Sequence, residues 1–579
     1  MPESPENANP LQPQKPKKEM TMESRLLVAF LLMGLILLLT PYFYKPPAPP
    51  KSKTGSHPVT ATTEKPTPKE VAPPETPPAK PVPAAPAEQI AATQEQTFVV
   101  DTDLYHIQFS NRGGVVKSWL LKKYKDQNGK ALELVDEAAL GEATPPFALV
   151  FKNEKVPSDP NQALFQAKPT PDGLGIDYEY SDGRLWVHKS FRFSKTSYLS
   201  TVTTEAKLDG EPAPHLISWR GGFGDLTVPN PQAVQHSLYY DVADKKLRTK
   251  NVKDAKKGTV TVKGDYSFAG LEDTFFAAVF LPKEGTSTEL ETYSNTLKLP
   301  PAGKEEPRVG MGVGGDAVNH FSLFVGPKDV DILGLIDPRL KQLINWGFFG
   351  VVAKPMFYCL QWMNNTFVHN YGWSIVLLTI GINLLVFPLR FTSLKSSKKM
   401  QALQPEIKAI NAKYKGLKLN DPKKTEQNQE VMALYKKHGV NPVSGCLPML
   451  IQLPLLYAIY EVLAVAIEMR GAHWLWVTDL SQPEHLALHV LPIVMIVTQF
   501  FMQKMTPNPS VDQSQQKIMM IMPLAFGFFF YNLASGLVLY YLTSNLVGIV
   551  QQWFINRLTP APVMPVEPPK TPKKRPVRA

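Results

Sequence analysis

The stretch SIVLLTIGINLLVFPLR, residues 374 to 390, decides the reading of this chain. With its neighbours it is long and apolar enough for a membrane-crossing helix, which needs about 20 residues. Yet Asn383 sits near its middle and Arg390 closes it. Lipid offers neither side chain a partner. Turning about 100° per residue from Thr379 puts Asn383 at about 40°, Arg390 at about 20°, Ser393 at about −40° and Ser397 at about 0°. The polar residues therefore form one stripe. At this point two explanations stay open: such groups glue helices together, or they line a wet cavity.

Working outward, further apolar runs cover 445–467, 487–505, 518–533 and 536–556. They too carry polar groups: Gln452 and Glu461; Thr498, Gln499 and Gln503; Asn532; Thr543, Ser544, Asn545, Gln551 and Gln552. The segment 339–367, rich in aromatics and broken by Lys354 and Pro355, reads as an interfacial amphipathic helix. A sixth run, 26–44, follows the polar, basic residues 1–25. It shows no A-x-A cleavage site and reads as an uncleaved signal-anchor. Fourteen prolines between Pro46 and Pro86 make 45–92 an extended tether that holds no packed core.

Residues 95–328 have the opposite pattern. TFVV, YHIQFS, VVKSWLL, WVHKSFRFS, YLSTVTTEAKL and HLISW are short, β-branched and aromatic. Turn signals such as NRGG (111–114), DQNG (126–129) and SDG (181–183) separate them. The expected fold is thus an α-helical polytopic membrane protein with six spans, plus an all-β sandwich domain.

Charge orients it. The net charge is +11, and residues 390–440 hold twelve Lys and Arg against four Asp and Glu. The tail 557–579 holds six against one, whereas the loop 468–486 has only Arg470. Positive charge gathers on the cytoplasmic side. Both termini and the 392–440 segment are therefore expected in the cytoplasm, with the β domain outside; in a bacterial inner membrane that is the periplasm. Cys359 and Cys446, the only cysteines, then fall on opposite sides and do not pair.

Within 392–440, Met400, Leu403, Ile407, Ile410 and Tyr414 recur at helical spacing, Asp421-Pro422 starts a second helix and Gly439 closes it. The outer face of this hairpin carries Lys398, Lys399, Lys408 and Lys413. It suits a solvated surface, anionic lipid or ribosomal RNA. No Walker A, HExxH, GxSxG or zinc spacing occurs. GMGVGG, 310–315, fits GxGxxG in form, but the strand-like FSLFV follows it, not a helix. No enzyme chemistry and no cofactor are expected.

Several stretches together resemble a known family. They are FPLRFTSLKSSKKMQALQPEI, EVMALYKKHGVNPVSGCLPMLIQLPLLYAIY, VTQFFMQKM, QQKIMMIMP and SGLVLYYLTSNLVGIVQQWF. They look like the core of the Oxa/YidC/Alb family of membrane protein insertases. The match covers about 345–557, with NP-x-x-GC-x-P-x-x-x-Q-x-P (Asn441 to Pro454) and SGLVLYY-x-x-SNL (Ser535 to Leu546) its most specific parts. The signal-anchor and the β domain, with FSNRGG and FVGP, resemble the Gram-negative form more weakly.

The resemblance implies a five-helix core around a hydrophilic groove that receives the polar part of a nascent membrane protein, alone or with the Sec translocon. It implies contacts to the ribosome and to anionic lipids. Groove residues would be Thr379, Asn383, Arg390, Gln452, Tyr540 and Tyr541. One departure stands out: five residues before Pro388 the family carries an arginine, and this chain has Asn383. Arg390 lies seven residues on, nearly on the same face and about 10 Å nearer the cytoplasm. Two rival readings remain. A transporter or channel needs a polar path to both sides, and a membrane-anchored carbohydrate-active protein needs a cleft with paired carboxylates in the β domain.

Overall fold

The computed structural model describes residues 88–152, 156–228, 234–255, 259–299, 304–414, 423–441, 447–486, 488–506, 527–528 and 530–558. The expected N-tail, signal-anchor, nearly all of the tether, most of the 518–533 run, nearly all of the basic tail and Cys446 lie outside them.

The β domain is built from two antiparallel sheets. Four strands, Thr97–Asp101, Tyr105–Ser110, Val115–Lys125 and Ala131–Glu133, form one in chain order. The other has fourteen strands, with Ala148–Phe151 at one edge and Gln166–Pro169 at the other. Alternation sets which side chains face inward. In Leu185–Arg192 every second residue is buried, and Leu199–Leu208, its antiparallel neighbour, alternates likewise. The two sheets meet through aromatic rings. Trp119 of the small sheet lies 6.2 Å from Trp219 of the large one, and Phe109 lies 5.0 Å from Phe191. Burying each such ring stabilises by about 1.5–3 kcal/mol. The first five residues of GMGVGG, 310–314, end the strand Lys304–Gly314, which pairs along its whole length with Ser287–Leu299, and they form no phosphate loop.

Lys189 occupies an inward position of its strand and is wholly buried. Its ammonium donates to the carbonyls of Gly113 (2.6 Å), Phe147 (2.8 Å) and Gly114 (3.4 Å). It thereby pins the NRGG turn, where Gly113 and Gly114 have φ of +76° and +56°. A Cβ on Gly113 would stand 2.6 Å from the Asn161 carbonyl oxygen, so the turn requires glycine there.

The helical part follows. Helix α1 (Val330–Ile336) is capped by Asp329, whose carboxylate accepts from the N–H groups of Asp331 and Ile332. A 3-10 turn, Pro338–Leu343, and a break at 344–349 separate it from α2 (Gly350–Met363). The 339–367 segment is therefore not one helix. Val351, Tyr358 and Trp362 are exposed along α2 while Ala353, Met356, Phe357 and Leu360 are buried, which is an amphipathic face.

Helix α3 (Tyr371–Ala402) starts at the Asn370 cap and runs 32 residues, straight past Pro388. The apolar run 373–391 and the start of the hairpin thus belong to one continuous helix. Among the described residues it is the one helix long and apolar enough to cross a membrane alone. Leu403 ends it, and α4 (Gln404–Lys413) begins with Pro405 in its first turn. Met400, Leu403 and Ile407 bury against Tyr435 of α5 (Lys423–Lys437) and Val440, closing the hairpin core. Helices α6 (Leu447–Val465), α7 (Val490–Met505) and α8 (Ser535–Leu558) complete the described bundle.

Candidate functional site

Three of these helices form a partly open cavity of about 30 Å³. Ile382, Asn383, Val386 and Arg390 of α3 line it, with Gln452 and Leu455 of α6 and Tyr540 and Ser544 of α8. The spacing explains the membership. Residues 382, 386 and 390 recur every four positions on α3, as 540 and 544 do on α8, so each helix turns one face inward. At about 10–15 Å³ per water, the space holds about two waters and no peptide.

Arg390 is the one charged side chain among the described lining residues. Its Nη1 donates to Gln551 Oε1 at 3.2 Å, and its Nη2 lies 3.8 Å from Met502 Sδ. Gln551 in turn donates from Nε2 to the Asn383 carbonyl at 3.1 Å. Asn383 donates from Nδ2 to the Thr379 carbonyl at 2.8 Å and to Ser544 Oγ at 3.4 Å. The bonds to Gln551 and Ser544 tie α3 to α8 along the cavity wall. The Arg390 guanidinium carries five N–H donors, and Gln551 Oε1 is its one oxygen acceptor among the described residues.

Other polar residues serve as glue. Asn545 donates to the Met495 carbonyl and to Thr498 Oγ1, both at 3.4 Å, and joins α8 to α7. Thr379 sits at the centre of the stripe but is fully buried, its hydroxyl bonded to the Ile375 carbonyl at 2.6 Å, one turn short of the cavity. Tyr541 also stands off the lining and packs on Phe530, ring centroids 4.8 Å apart. Some of these polar groups thus bond helix to helix, and Asn383, Arg390, Gln452 and Ser544 line the cavity.

On the hairpin, Lys408 and Lys413 are exposed, and Lys413 pairs with Glu430 at 3.3 Å. Lys398 and Lys399 are half-buried, and Lys398 donates to the Ile555 carbonyl at 3.3 Å. Sequence reasoning missed the apolar lining residues Ile382, Val386 and Leu455, and it missed Gly548. A Cβ there would stand 2.8 Å from Arg390 Nη2, so this glycine gives the guanidinium its space. The signal was present: Ser544 and Gly548 are a small-x-x-x-small pair, which brings helices close.

Comparison with known proteins places both parts. Residues 97–359 match the family model described as YidC periplasmic domain, and residues 362–562 match that of the 60Kd inner membrane protein. The membrane protein insertase YidC of Geobacter sp. (strain M21) is 34% identical over 79% of this chain and 85% of that protein. That of Geotalea daltonii is 32% identical over 93% of this chain and 100% of that protein. A crystal structure of an active YidC insertase with its first transmembrane domain resolved aligns over 81% of this chain and 94% of that chain, at 20% identity and a TM-score of 0.35. On the strength of the sequence relatives and of the two adjoining matches, the chain belongs to the YidC family of membrane protein insertases.

Proposed function

We propose that the cavity between α3, α6 and α8 is the closed form of a hydrophilic groove, and that Arg390 supplies its charge. The observation that carries this reading is the Arg390 guanidinium, set on the cavity wall with one neutral amide acceptor among the described residues. The polar end of a nascent membrane protein enters between the walls as Gln452 and Leu455 of α6 part from α3 and α8. An acidic residue of that end takes Gln551's place on Arg390. The costly step is desolvating polar groups in hydrocarbon, and a wet groove reduces it. The adjoining apolar segment then moves sideways into lipid.

In this reading the six runs at 26–44, 373–391, 445–467, 487–505, 518–533 and 536–556 span the membrane, the last five forming the insertase core. The termini and the hairpin lie in the cytoplasm. Lys398, Lys399, Lys408 and Lys413, with the basic tail, meet the ribosome and anionic lipid, and the chain works alone or beside the Sec translocon. The charge bias of 390–440 and 557–579 supports that orientation.

Site-specific photocrosslinking to a stalled, ribosome-bound single-span protein tests the groove. Probes at Asn383 and Tyr540 crosslink, whereas probes at Leu385, which is 82% exposed, and at Leu377, on the opposite face, do not. Thr379 and Tyr541, outside the closed lining, crosslink only if the groove opens beyond it. Equal yields at Asn383 and Leu385 overturn the reading.

A further inference from the structure

The loop 466–486, between α6 and α7, holds the starts of three helices. Asn370, the cap of α3, donates from Nδ2 to the His473 carbonyl at 2.9 Å. The Glu484 carboxylate accepts from the Leu491 N–H (2.8 Å) in the first turn of α7 and from Trp476 Nε1 (2.7 Å). At the start of α8, the N–H groups of Ser535 and Gly536 donate to the carbonyls of Gln482 (2.7 Å) and Leu480 (2.8 Å). The first amides of a helix have no partner inside it, so whatever accepts them fixes where that helix begins.

The same loop sends Arg470 into the β domain. Arg470 pairs with Asp225, the two side chains 3% and 2% exposed. Its Nη2 also donates to the Lys125 carbonyl at 2.7 Å. The guanidinium lies 5.5 and 5.3 Å from the ring centroids of Phe275 and Phe276, which makes cation–π contacts. Nε and Nη1 are buried without an acceptor, so Asp225 alone neutralises the charge among the described residues.

The β domain holds Asp225 ready by its own bonds. Asp273 accepts from the Asp225 N–H at 2.7 Å and from the N–H groups of Phe275 and Phe276. Asp225 Oδ1 accepts from the N–H and hydroxyl of Thr227. A lighter second contact joins Gln127 Nε2 to Gln482 Oε1 at 3.3 Å. Among the described residues, Arg470–Asp225 is the only ion pair that links residues before 345 to residues after it.

Domains of one chain move relative to each other unless a large apolar interface or a specific contact holds them. Here buried apolar side chains run on from the β domain into the bundle, with Arg470–Asp225 set beside Phe275 and Phe276 among them. We propose that Arg470 is a positioning residue: it latches the periplasmic β domain to the 466–486 loop, so that the domain and the adjacent ends of α3, α7 and α8 move as one body. Breaking a buried pair on one side strands the other charge, so a substitution on either side weakens the latch. The inference stands whether or not the cavity is the substrate groove.

The test uses the full chain in lipid nanodiscs, with Cys359 and Cys446 replaced by serine. Spin labels go at Lys263→Cys on the β domain and Leu488→Cys beside α7, both exposed. Double electron–electron resonance gives one narrow distance for the parent chain. Arg470→Met at least doubles its width, and Asp225→Asn, which keeps the shape of the carboxylate, does the same. Hydrogen exchange then separates a latch from a folding residue. The amides of Leu491, Ser535 and Gly536 exchange at least tenfold faster in the variants, and Leu185–Arg192 stays as protected as before. An unchanged distance width in both variants overturns the proposal. So does loss of protection throughout the β domain.

Discussion

The β domain and the helical bundle both bury polar groups, but they treat them differently. In the β domain three buried ionisable side chains are each enclosed by several partners. Lys189 has three carbonyls. Arg308, 3% exposed, has Asp136 at 3.3 Å and Glu306 at 2.9 Å. His215 has Thr204, Asn319 and the Ala213 carbonyl. In the bundle, Arg390 reaches one amide and a thioether beside a cavity. A fully satisfied network makes its surroundings rigid, while a charge with spare capacity is available to bind. On the reading proposed above, the periplasmic domain is the closed part of this inner-membrane insertase and the bundle is the part that receives a client.

The contrast is broken most sharply at Lys189. Lys189→Met leaves three buried carbonyls without their donor and costs the β domain about 3 kcal/mol or more. Thermal melts of the full chain, followed by near-ultraviolet circular dichroism, read this. A loss under 1 kcal/mol means that the enclosure is not what holds the turn.

Acid tests the same enclosure at His215. Nδ1 faces the Ala213 carbonyl as a donor, while Asn319 Nδ2, a donor itself, faces Nε2 at 3.2 Å. Burial pushes the imidazole down from 6.5 to about 4, against the pull of the Ala213 bond. Between those values the unfolded chain binds a proton that the folded chain refuses. Stability is therefore full above pH 6.5 and falls as the pH drops to about 4, by roughly 3 kcal/mol for this group. Hydrogen exchange in His215–Trp219 reads the slope, and His215→Gln flattens it.

The open side is sharpened at Arg390. Arg390→Gln removes the charge-assisted contact offered to a client, and insertion of a client with an acidic tail falls about tenfold. A client with a neutral tail loses less. Equal losses for both clients mean that the arginine only holds α3 to α8. The smallest effect comes from Gly548→Ala, whose methyl crowds the guanidinium. Insertion in proteoliposomes then drops two- to threefold, by roughly 0.5 kcal/mol.

Much of this was legible in advance. Alternation in WVHKSFRF marks Val187, Lys189 and Phe191 as one face, and all three are buried. The spacing of Met400, Leu403, Ile407, Ile410 and Tyr414 marked a helix face, of which the first three lie in the hairpin core and Ile410 and Tyr414 are half-buried. The stripe angles put Asn383 and Arg390 on one side of α3, and both line the cavity. They also put Thr379 there, yet it sits off the lining. An angle around a helix says nothing about how tightly the neighbours close at each height.

By itself the sequence determined which residues share a face, because helix and strand periods are properties of a few consecutive residues. It determined the family as well, because the matching motifs are local. Only the tertiary structure decided what each face meets. Gln551 reaches Arg390 across 161 positions and Asp225 reaches Arg470 across 245. Neither partner leaves a mark near the other in the chain. Such pairs are set by how whole elements stack, and that depends on every packed contact together.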